Sequence, residues 1–406
     1  MELSSIGTPK EIKFCKICVI SNQRPSSVVE FKHQLTYKKP TININPDSIC
    51  DACLYAKKKN EIDWDQRQKE LKDLLDNYRS SSGNYDVIVP GSGGKDSAFT
   101  AHILKYKYGM NPLTVTWAPH KYTDVGWKNF INWSHIGGLD NILFTPNGRL
   151  HRYLTKKAFE NLLHPFQPFI IGQRIIGPLF ASKFKVPLVM YGENQAEYGN
   201  KIDENQSNEM KSDFFISKNI NDLIISGCKI KDIINETDFS ISDFKPYLPI
   251  TNEDNFNQKI SVKYLGYFLK WDPQECYYYA SENTGFSSND ERTEGSYSKY
   301  SSIDDKIDPF HYYTTLIKFG IGRATYDACQ EIRNDKITRE EAISLVKQFD
   351  EEFPSKFYQE FLEYISLSDI EFDKIIDRYR SSHLWEKVNN TWKLKKAVWH
   401  KTEEIA

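Results

Sequence analysis

The chain has 406 residues, 39% hydrophobic and 14% aromatic, enough for roughly two or three cored domains of a soluble globular protein. A formal net charge of −2 shows no basic excess and weighs against a large nucleic-acid surface. No apolar run reaches the length of a membrane span, and the first residues lack the basic and apolar regions of a signal peptide, so the expected location is cytoplasmic and away from membranes.

Four of the seven cysteines form two Cys-x-x-Cys pairs, Cys15 with Cys18 and Cys50 with Cys53. In a cytosolic chain such pairs point to metal rather than disulfides, and four thiolates satisfy a tetrahedral Zn²⁺. Residues 19–49 between the pairs exceed the spacing of a compact zinc ribbon, so a folded loop through Phe31 to Ile44 has to bridge them. A redox-active or sulfur-carrying pair is the competing reading. Cys228, Cys276 and Cys329 stand singly and read as small buried hydrophobes. Asn60 to Arg79, with Ile62, Trp64, Leu71, Leu74 and Leu75 among charged residues, reads as an amphipathic linker helix packed on the next domain.

Next comes Tyr85-Asp86-Val87-Ile88-Val89-Pro90-Gly91-Ser92-Gly93-Gly94-Lys95-Asp96-Ser97, a buried strand, a glycine turn and the start of a helix. Strand, turn and helix in this order make a phosphate cradle, because glycines let backbone N–H groups converge and the helix N-terminus adds partial positive charge. Lys95 and Ser97 add donors, and Asp96 is placed to hold Mg²⁺ on the phosphates. A Walker A loop is excluded: it needs a glycine separated by four residues from Gly-Lys-Ser/Thr, and here Val89 holds that position and Asp96 follows Lys95. Ser92 to Ser97 resembles instead the pyrophosphate loop (PP-loop) of the ATP pyrophosphatase superfamily, whose members split ATP into AMP and pyrophosphate to adenylate an oxygen. Ser92, Gly93, Gly94, Lys95, Asp96 and Ser97 are therefore assigned to ATP.

From Tyr85 to about Gly192 strands and helices alternate, which predicts an α/β fold with a doubly wound parallel sheet. Strands are expected at Leu113–Trp117, Asn141–Phe144 and Pro187–Tyr191, and helices at Ala98–Tyr108, Gly126–Trp133, Leu150–Leu163 and Gly172–Phe184. Ligands in such sheets bind beyond the carboxyl ends of the strands. Thr116 and Trp117, closing the second strand, are assigned to the nucleotide. The segment Gly192 to Asn200 follows the last strand; Glu193 is assigned to catalysis and Asn194, Glu197 and Tyr198 to the substrate, against the simpler reading of a solvated loop.

The remaining half is less regular. Asp203 to Phe244 reads as a polar insertion, and Val262 to Phe268 as an aromatic strand-like run followed by a short helix at Gln274–Ser281. In Ser298 to Asp308, Lys299 is assigned to catalysis and Lys306 to the substrate, a salt-bridged surface being the alternative. Arg323, opening a helix after Gly320 and Gly322, is assigned as an anion contact. Helices are expected at Ala324–Arg333, Thr338–Phe349, Pro354–Ile365 and Asp369–Arg380, with Thr338 and Glu341 as a capping box. The expected organisation is a zinc-binding module over 1–60, a linker helix over 61–84, an ATP-binding α/β domain over 85–245, and a mixed then helical C-terminal region over 246–406 closing the substrate site.

Several segments together resemble the N-acetyl sugar amidotransferase family: Cys15-Lys16-Ile17-Cys18-Val19 with Arg24-Pro25, Cys50-Asp51-Ala52-Cys53, Ile62-Asp63-Trp64, the pyrophosphate loop, Tyr191-Gly192-Glu193-Asn194, Glu291 to Gly295, Ser298 to Lys306, Phe319 to Arg323 and His383-Leu384-Trp385. Gly91 departs from the pattern, where a β-branched or small residue is expected, and should only loosen the turn. The resemblance implies conversion of a sugar-borne acetamido group to an acetamidino group with ATP, Mg²⁺ and ammonia. No cysteine sits in a glutaminase context, since Glu2 follows Met1 and Ser226-Gly227-Cys228-Lys229-Ile230 lacks a second glycine. A separate glutaminase subunit is thus the implied ammonia source. A tRNA-thiolating member of the superfamily is the alternative; it needs a catalytic cysteine near the adenylate and a positive surface for RNA.

Overall fold

In the computed structural model, which describes residues 2–26, 38–198, 207–210, 223–250 and 259–400, the apolar β-branched runs pair into one sheet. Strands β1 (Val87–Pro90), β2 (Pro112–Trp117), β3 (Asp140–Phe144) and β4 (Leu188–Tyr191) are joined by β7 (Ser261–Tyr264) in the order β3-β2-β1-β4-β7, all parallel. Two short antiparallel hairpins lie outside it: β5 (Ile224–Ile225) with β6 (Cys228–Lys229), and β8 (Trp385–Val388) with β9 (Thr391–Leu394). β1, β2 and β7 are buried along their whole length, as strands covered on both faces must be. The order reverses between β1 and β4, and a crevice opens there beyond the strand carboxyl ends.

Strand periodicity sorts the two cores. Ile88, Val115 and Val189 point to a cluster shared with helices α5 (Gly148–Leu162) and α6 (Gln167–Phe184). Val87, Val89 and Met190 point the other way, onto α3 (Lys95–Tyr106) and α4 (Asp124–His135). Leu71 and Leu75 of α2 (Trp64–Asp76) join this second cluster, so the linker helix is docked on the sheet domain. A third cluster packs the cysteine module, including Val19, Ile20 and Ile42, on Ala324, Ala328 and Val346 of α11 (Arg323–Arg333) and α12 (Arg339–Phe349). Between them in sequence lie α1 (Asp51–Lys59), α7 (Ile230–Glu236), α8 (Ile241–Phe244), α9 (Pro273–Thr284) and α10 (Asp308–Phe319), and the chain continues with α13 (Tyr358–Ile365) and α14 (Asp369–Tyr379).

Thr338 and Glu341 form the expected capping box, and Ser368 with Glu371 forms a second. Two expectations change. The aromatic run at Val262 is the outer strand of the central sheet, so the sheet is not complete at residue 245; Leu188 to Tyr191 pair with Ser261 to Tyr264 across an intervening 69 residues, 192–260. Helix α10 has no counterpart in the sequence reading, because Asp308-Pro309-Phe310-His311-Tyr312-Tyr313-Thr314-Thr315 is poor in strong helix formers. Phe31 to Tyr37 of the bridging loop, Gly199, Asn200 and much of the polar insertion lie outside the described residues.

Candidate active site

The phosphate cradle is built by close backbone contacts. Gly94 caps α3 without a side-chain bond, so the first-turn amides remain for a ligand. A Cβ on Gly91 would lie 2.2 Å from Cβ of Ser97, so this glycine tightens the turn instead of loosening it. Gly93 takes φ +82° with its Cα against the Phe130 backbone, where a Cβ would come within 2.9 Å.

Lys95 Nζ donates to Asp96 Oδ2 at 2.5 Å, while Asp96 Oδ1 is buried with no partner. The Glu193 carboxyl is pushed up to about 7 by burial and by the Asp96 charge, against the pull of Lys95 and the Tyr198 hydroxyl. An orphaned carboxylate oxygen beside a second, reluctant carboxylate fits a divalent cation, and Asp96 and Glu193 are the residues that would hold Mg²⁺.

Ser92, Gly94, Lys95, Asp96, Ser97, Trp117, Glu193, Tyr198 and Arg323 all line one cavity of about 600 Å³. The other assigned residues do not line it. Gly93 is buried against the Phe130 backbone. Thr116 is fully buried in the sheet, its hydroxyl accepting from Asn141 Nδ2 at 3.0 Å. Asn194 is 1% exposed and donates to the Tyr55 hydroxyl at 3.3 Å. Glu197 is paired with Lys59. Lys299 donates to the Asp290 carbonyl at 2.7 Å in an exposed loop. Lys306 is shared with both Glu360 oxygens at 3.1 Å and lies over Phe357, the salt-bridged surface named as the alternative. These placements share a cause: a polar residue near a strand end is as easily engaged by a neighbouring element as by a ligand.

The cavity also gathers residues the sequence reading passed over. Helix α10 supplies Asp308, His311, Tyr312 and Lys318, and the turn before it supplies Asp304. Asp304 is hydrogen-bonded to Ser92, tying the C-terminal half to the phosphate loop. Burial pushes Asp308 up to about 7 although Arg323 opposes this. His311 is driven down to about 3 by burial, then by Arg323 and Lys318, so it is a neutral imidazole. Arg323 makes a two-pronged contact with Asp327, at 3.2 and 3.1 Å, and its guanidinium lies 4.4 Å from the Tyr312 ring centroid. Charge alternation over 299–327 was the available signal, but it does not say which partners face inward.

The four paired cysteines converge. Their sulfurs all lie within 4.8 Å of one another, with Cys15 to Cys53 at 3.9 Å and Cys18 to Cys50 at 3.7 Å. A tetrahedron with Zn–S bonds of about 2.3 Å has edges of about 3.8 Å, so the set fits a single zinc ion. An iron–sulfur cube binds each thiolate to a different iron and would spread the sulfurs further apart.

The cysteine module is bolted to the strand-end segment through α1. Lys59 Nζ donates to Glu197 Oε1 at 2.8 Å and to the Trp271 carbonyl at 2.5 Å, with both charged side chains under 10% exposed. Glu197 therefore positions the turn that carries Glu193 and Tyr198. Lys59→Met is expected to cost about 3–5 kcal/mol in a denaturant melt, because it leaves a buried carboxylate unpaired. Adding Glu197→Leu should recover part of the loss.

Glu193 also sets a pH dependence. Its folded value of about 7 exceeds the ordinary 4.5, so the folded state keeps the proton between those values. Its contribution to stability is full below pH 4.5 and is lost as pH rises towards 7. Mg²⁺ competes with that proton, so calorimetric titrations should show magnesium affinity rising from about pH 6 to about pH 8, by up to tenfold per unit below 7. Glu193→Gln should give a weaker affinity without this slope; an unchanged slope would exclude Glu193 as the group responsible.

Residues 294–398 match the family described as LPS biosynthesis protein WbpG-like, C-terminal domain. Over 77 residues the chain is 36% identical to the uncharacterized protein MJ1599 of Methanocaldococcus jannaschii, covering 19% of this chain and 27% of that one. The chain thus spans about a quarter of the curated relative it matches. Among solved structures it is similar to an NH3-dependent NAD synthetase from Campylobacter jejuni (16% identity, TM-score 0.28, 38% of this chain and 71% of that one). It is also similar to an NMN synthetase from Francisella tularensis (11%, 0.31, 76% and 98%) and to the U34-tRNA thiolase NcsA from Methanococcus maripaludis with its 4Fe-4S cluster (13%, 0.30, 70% and 81%). At these scores the likenesses decide nothing about the reaction; the parallel sheet and the loop geometry above do not depend on them.

Proposed function

We propose that this chain, which carries a WbpG-like C-terminal domain, is an ATP-dependent amidotransferase that converts the acetamido group of an N-acetylated sugar, a precursor of a cell-surface glycan, into an acetamidino group. The observation that carries the reading is that the Ser92–Ser97 phosphate loop and the WbpG-like segment line the same cavity. An amide oxygen cannot leave as it stands, so it must first be activated. Attack of that oxygen on the α-phosphorus of ATP forms an O–P bond and breaks the bond to the β-phosphate bridging oxygen, giving an O-adenylyl imidate and pyrophosphate. Ammonia then adds to the imidate carbon, a proton passes to solvent, and the C–O bond breaks to release AMP and the amidine.

The loop amides and Lys95 would hold the phosphates and stabilise the charge that moves onto pyrophosphate. When bound at Asp96 and Glu193, magnesium would neutralise the same charge. Tyr198 would orient Glu193, and Arg323, held by Asp327, would line the sugar side of the cavity. Zinc is the ion we assign to the cysteine tetrad. Ammonia would come from a separate glutaminase subunit: Cys228, at the hairpin, accepts from Asn161 Nδ2 at 3.3 Å and has no place in a nucleophile–base pair. We place the reaction in the cytoplasm.

The tRNA-thiolation reading requires a reactive cysteine near the adenylate. Cys276 lies near Asp96, Lys95 and Glu193, yet it is 2% exposed, does not line the cavity, and burial raises its thiol well above the ordinary range. The amidotransferase reading is preferred on that ground. Incubation with ATP, Mg²⁺, ammonium and a UDP-linked acetamido sugar should release pyrophosphate and give a product about one mass unit lighter, oxygen being replaced by NH. Glutamine should not replace ammonium for the isolated chain. Absence of pyrophosphate release across a panel of acetamido sugars would refute the proposal.

A further inference from the structure

Arg24 belongs to the cysteine module yet lines the same cavity as the phosphate loop. Its backbone is fixed: its N–H donates to the Ser21 carbonyl at 3.3 Å and its carbonyl accepts from Ile42 at 2.8 Å. Arg24 is 7% exposed, and its Nη1 is buried with no hydrogen-bond partner among the described residues. An unsatisfied buried guanidinium nitrogen costs about as much as a lost charged hydrogen bond, so one on a residue that lines a cavity is placed for a partner there.

The surroundings say what kind. The Arg24 guanidinium lies 5.6 Å from the Tyr326 ring centroid, the Tyr326 and Tyr312 rings meet edge to face at 5.8 Å, and Arg323 covers Tyr312 at 4.4 Å. Two guanidinium groups thus bracket a pair of tyrosines along one cavity wall. Their charges differ in availability, because Arg323 is held by Asp327 whereas Arg24 Nη1 has no hydrogen-bond partner among the described residues. On the same wall His311 presents a neutral imidazole with an unpartnered Nδ1, suited to a hydroxyl or an amide.

We infer that Arg24 forms an anion subsite for the second substrate, separate from the phosphate loop, which takes a carboxylate or phosphate group carried by the sugar while the tyrosine pair receives its uncharged face. The assignment rests on the sugar reading for the identity of that substrate, but not for the presence of the anion site. The cysteine module then acts in recognition, because it carries the guanidinium to the cavity wall.

The test uses the metal-loaded full chain with its phosphate loop filled by Mg²⁺ and α,β-methylene-ATP, and calorimetric titration of four probes. These are N-acetylglucosamine, its 1-phosphate, its uronic acid and inorganic phosphate. The expected result is at least about tenfold tighter binding of one or both anionic sugars than of the neutral sugar, about 1.4 kcal/mol. The 1-phosphate and uronic acid arms tell a phosphate from a carboxylate. Arg24→Met should abolish the preference, Arg24→Lys should keep part of it, and both should leave the neutral sugar, the ATP analogue and the metal content unchanged. Equal binding of neutral and anionic sugars, or a preference that survives Arg24→Met, overturns the inference. If no sugar binds, the sugar reading fails by itself; inorganic phosphate binding that is lost in Arg24→Met then still supports the anion site, and phosphate binding that is absent or unaffected refutes it.

Discussion

Asp96→Asn is expected to lower pyrophosphate release by about 10³-fold at saturating ATP, equivalent to about 4 kcal/mol of transition-state stabilisation. Asparagine keeps the size of the side chain and removes the charge from two partners at once. One is Lys95, whose ammonium sits 2.5 Å from Oδ2. The other is the cation that the buried, unpartnered Oδ1 would bind. Removing the charge also relieves Glu193, whose carboxyl is raised in part by Asp96, so the variant should fold and its Glu193 should ionise at lower pH. The measurement is a pyrophosphate-coupled assay over a magnesium series, with circular dichroism as the folding control. Activity within tenfold of the unaltered chain, at any magnesium concentration, would remove Asp96 from the role assigned to it.

Stripping the metal from the cysteine tetrad is expected to have the next largest effect. Cys15, Cys18, Cys50 and Cys53 are buried, and as four thiolates they could share one site only around a cation that offsets their charge. Structural zinc in small modules contributes about 10–16 kcal/mol of apparent binding energy, far more than the module's apolar contacts with Ala324, Ala328 and Val346 can replace. Cys18→Ser, or prolonged chelation, should release a single zinc ion per chain and lower the melting temperature by many degrees. The loss should reach the cavity as well, since the same module supplies Arg24 and, through Lys59, the anchor of Glu197. Elemental analysis with a thermal melt reads both effects. Iron with visible absorption would replace the zinc assignment by a cluster, and an unchanged melt after metal loss would show that the module holds itself together.

Residues whose role follows from local geometry were legible from the chain alone. The loop from Ser92 to Ser97 is a contiguous motif whose neighbours, a β-branched run and a helix start, specify its surroundings. Cysteine spacing likewise specified a tetrad, though not that its partner surface is α11 and α12. Glu197 shows where that legibility ended. Its sequence position, four residues after Glu193, says nothing about Lys59, which is 138 residues away. Lys299 and Lys306 looked like ligands because charge is visible in a sequence and the partner that satisfies it is not.

The sequence by itself determined the phosphate loop, the exclusion of a Walker A site, the four metal-type cysteines and the parallel α/β class, because each depends on residues close in the chain or on strand and helix periodicity. Only the tertiary structure decided that β7 completes the sheet and that Asn194 and Glu197 serve packing. It also decided that α10, Asp308 and Arg24 share the cavity with the loop. These outcomes depend on which distant groups satisfy one another when water is removed. Burial drives polar atoms to take partners, and those left over at the cavity wall, among them Asp96 Oδ1, Arg24 Nη1 and His311 Nδ1, mark where ligands belong.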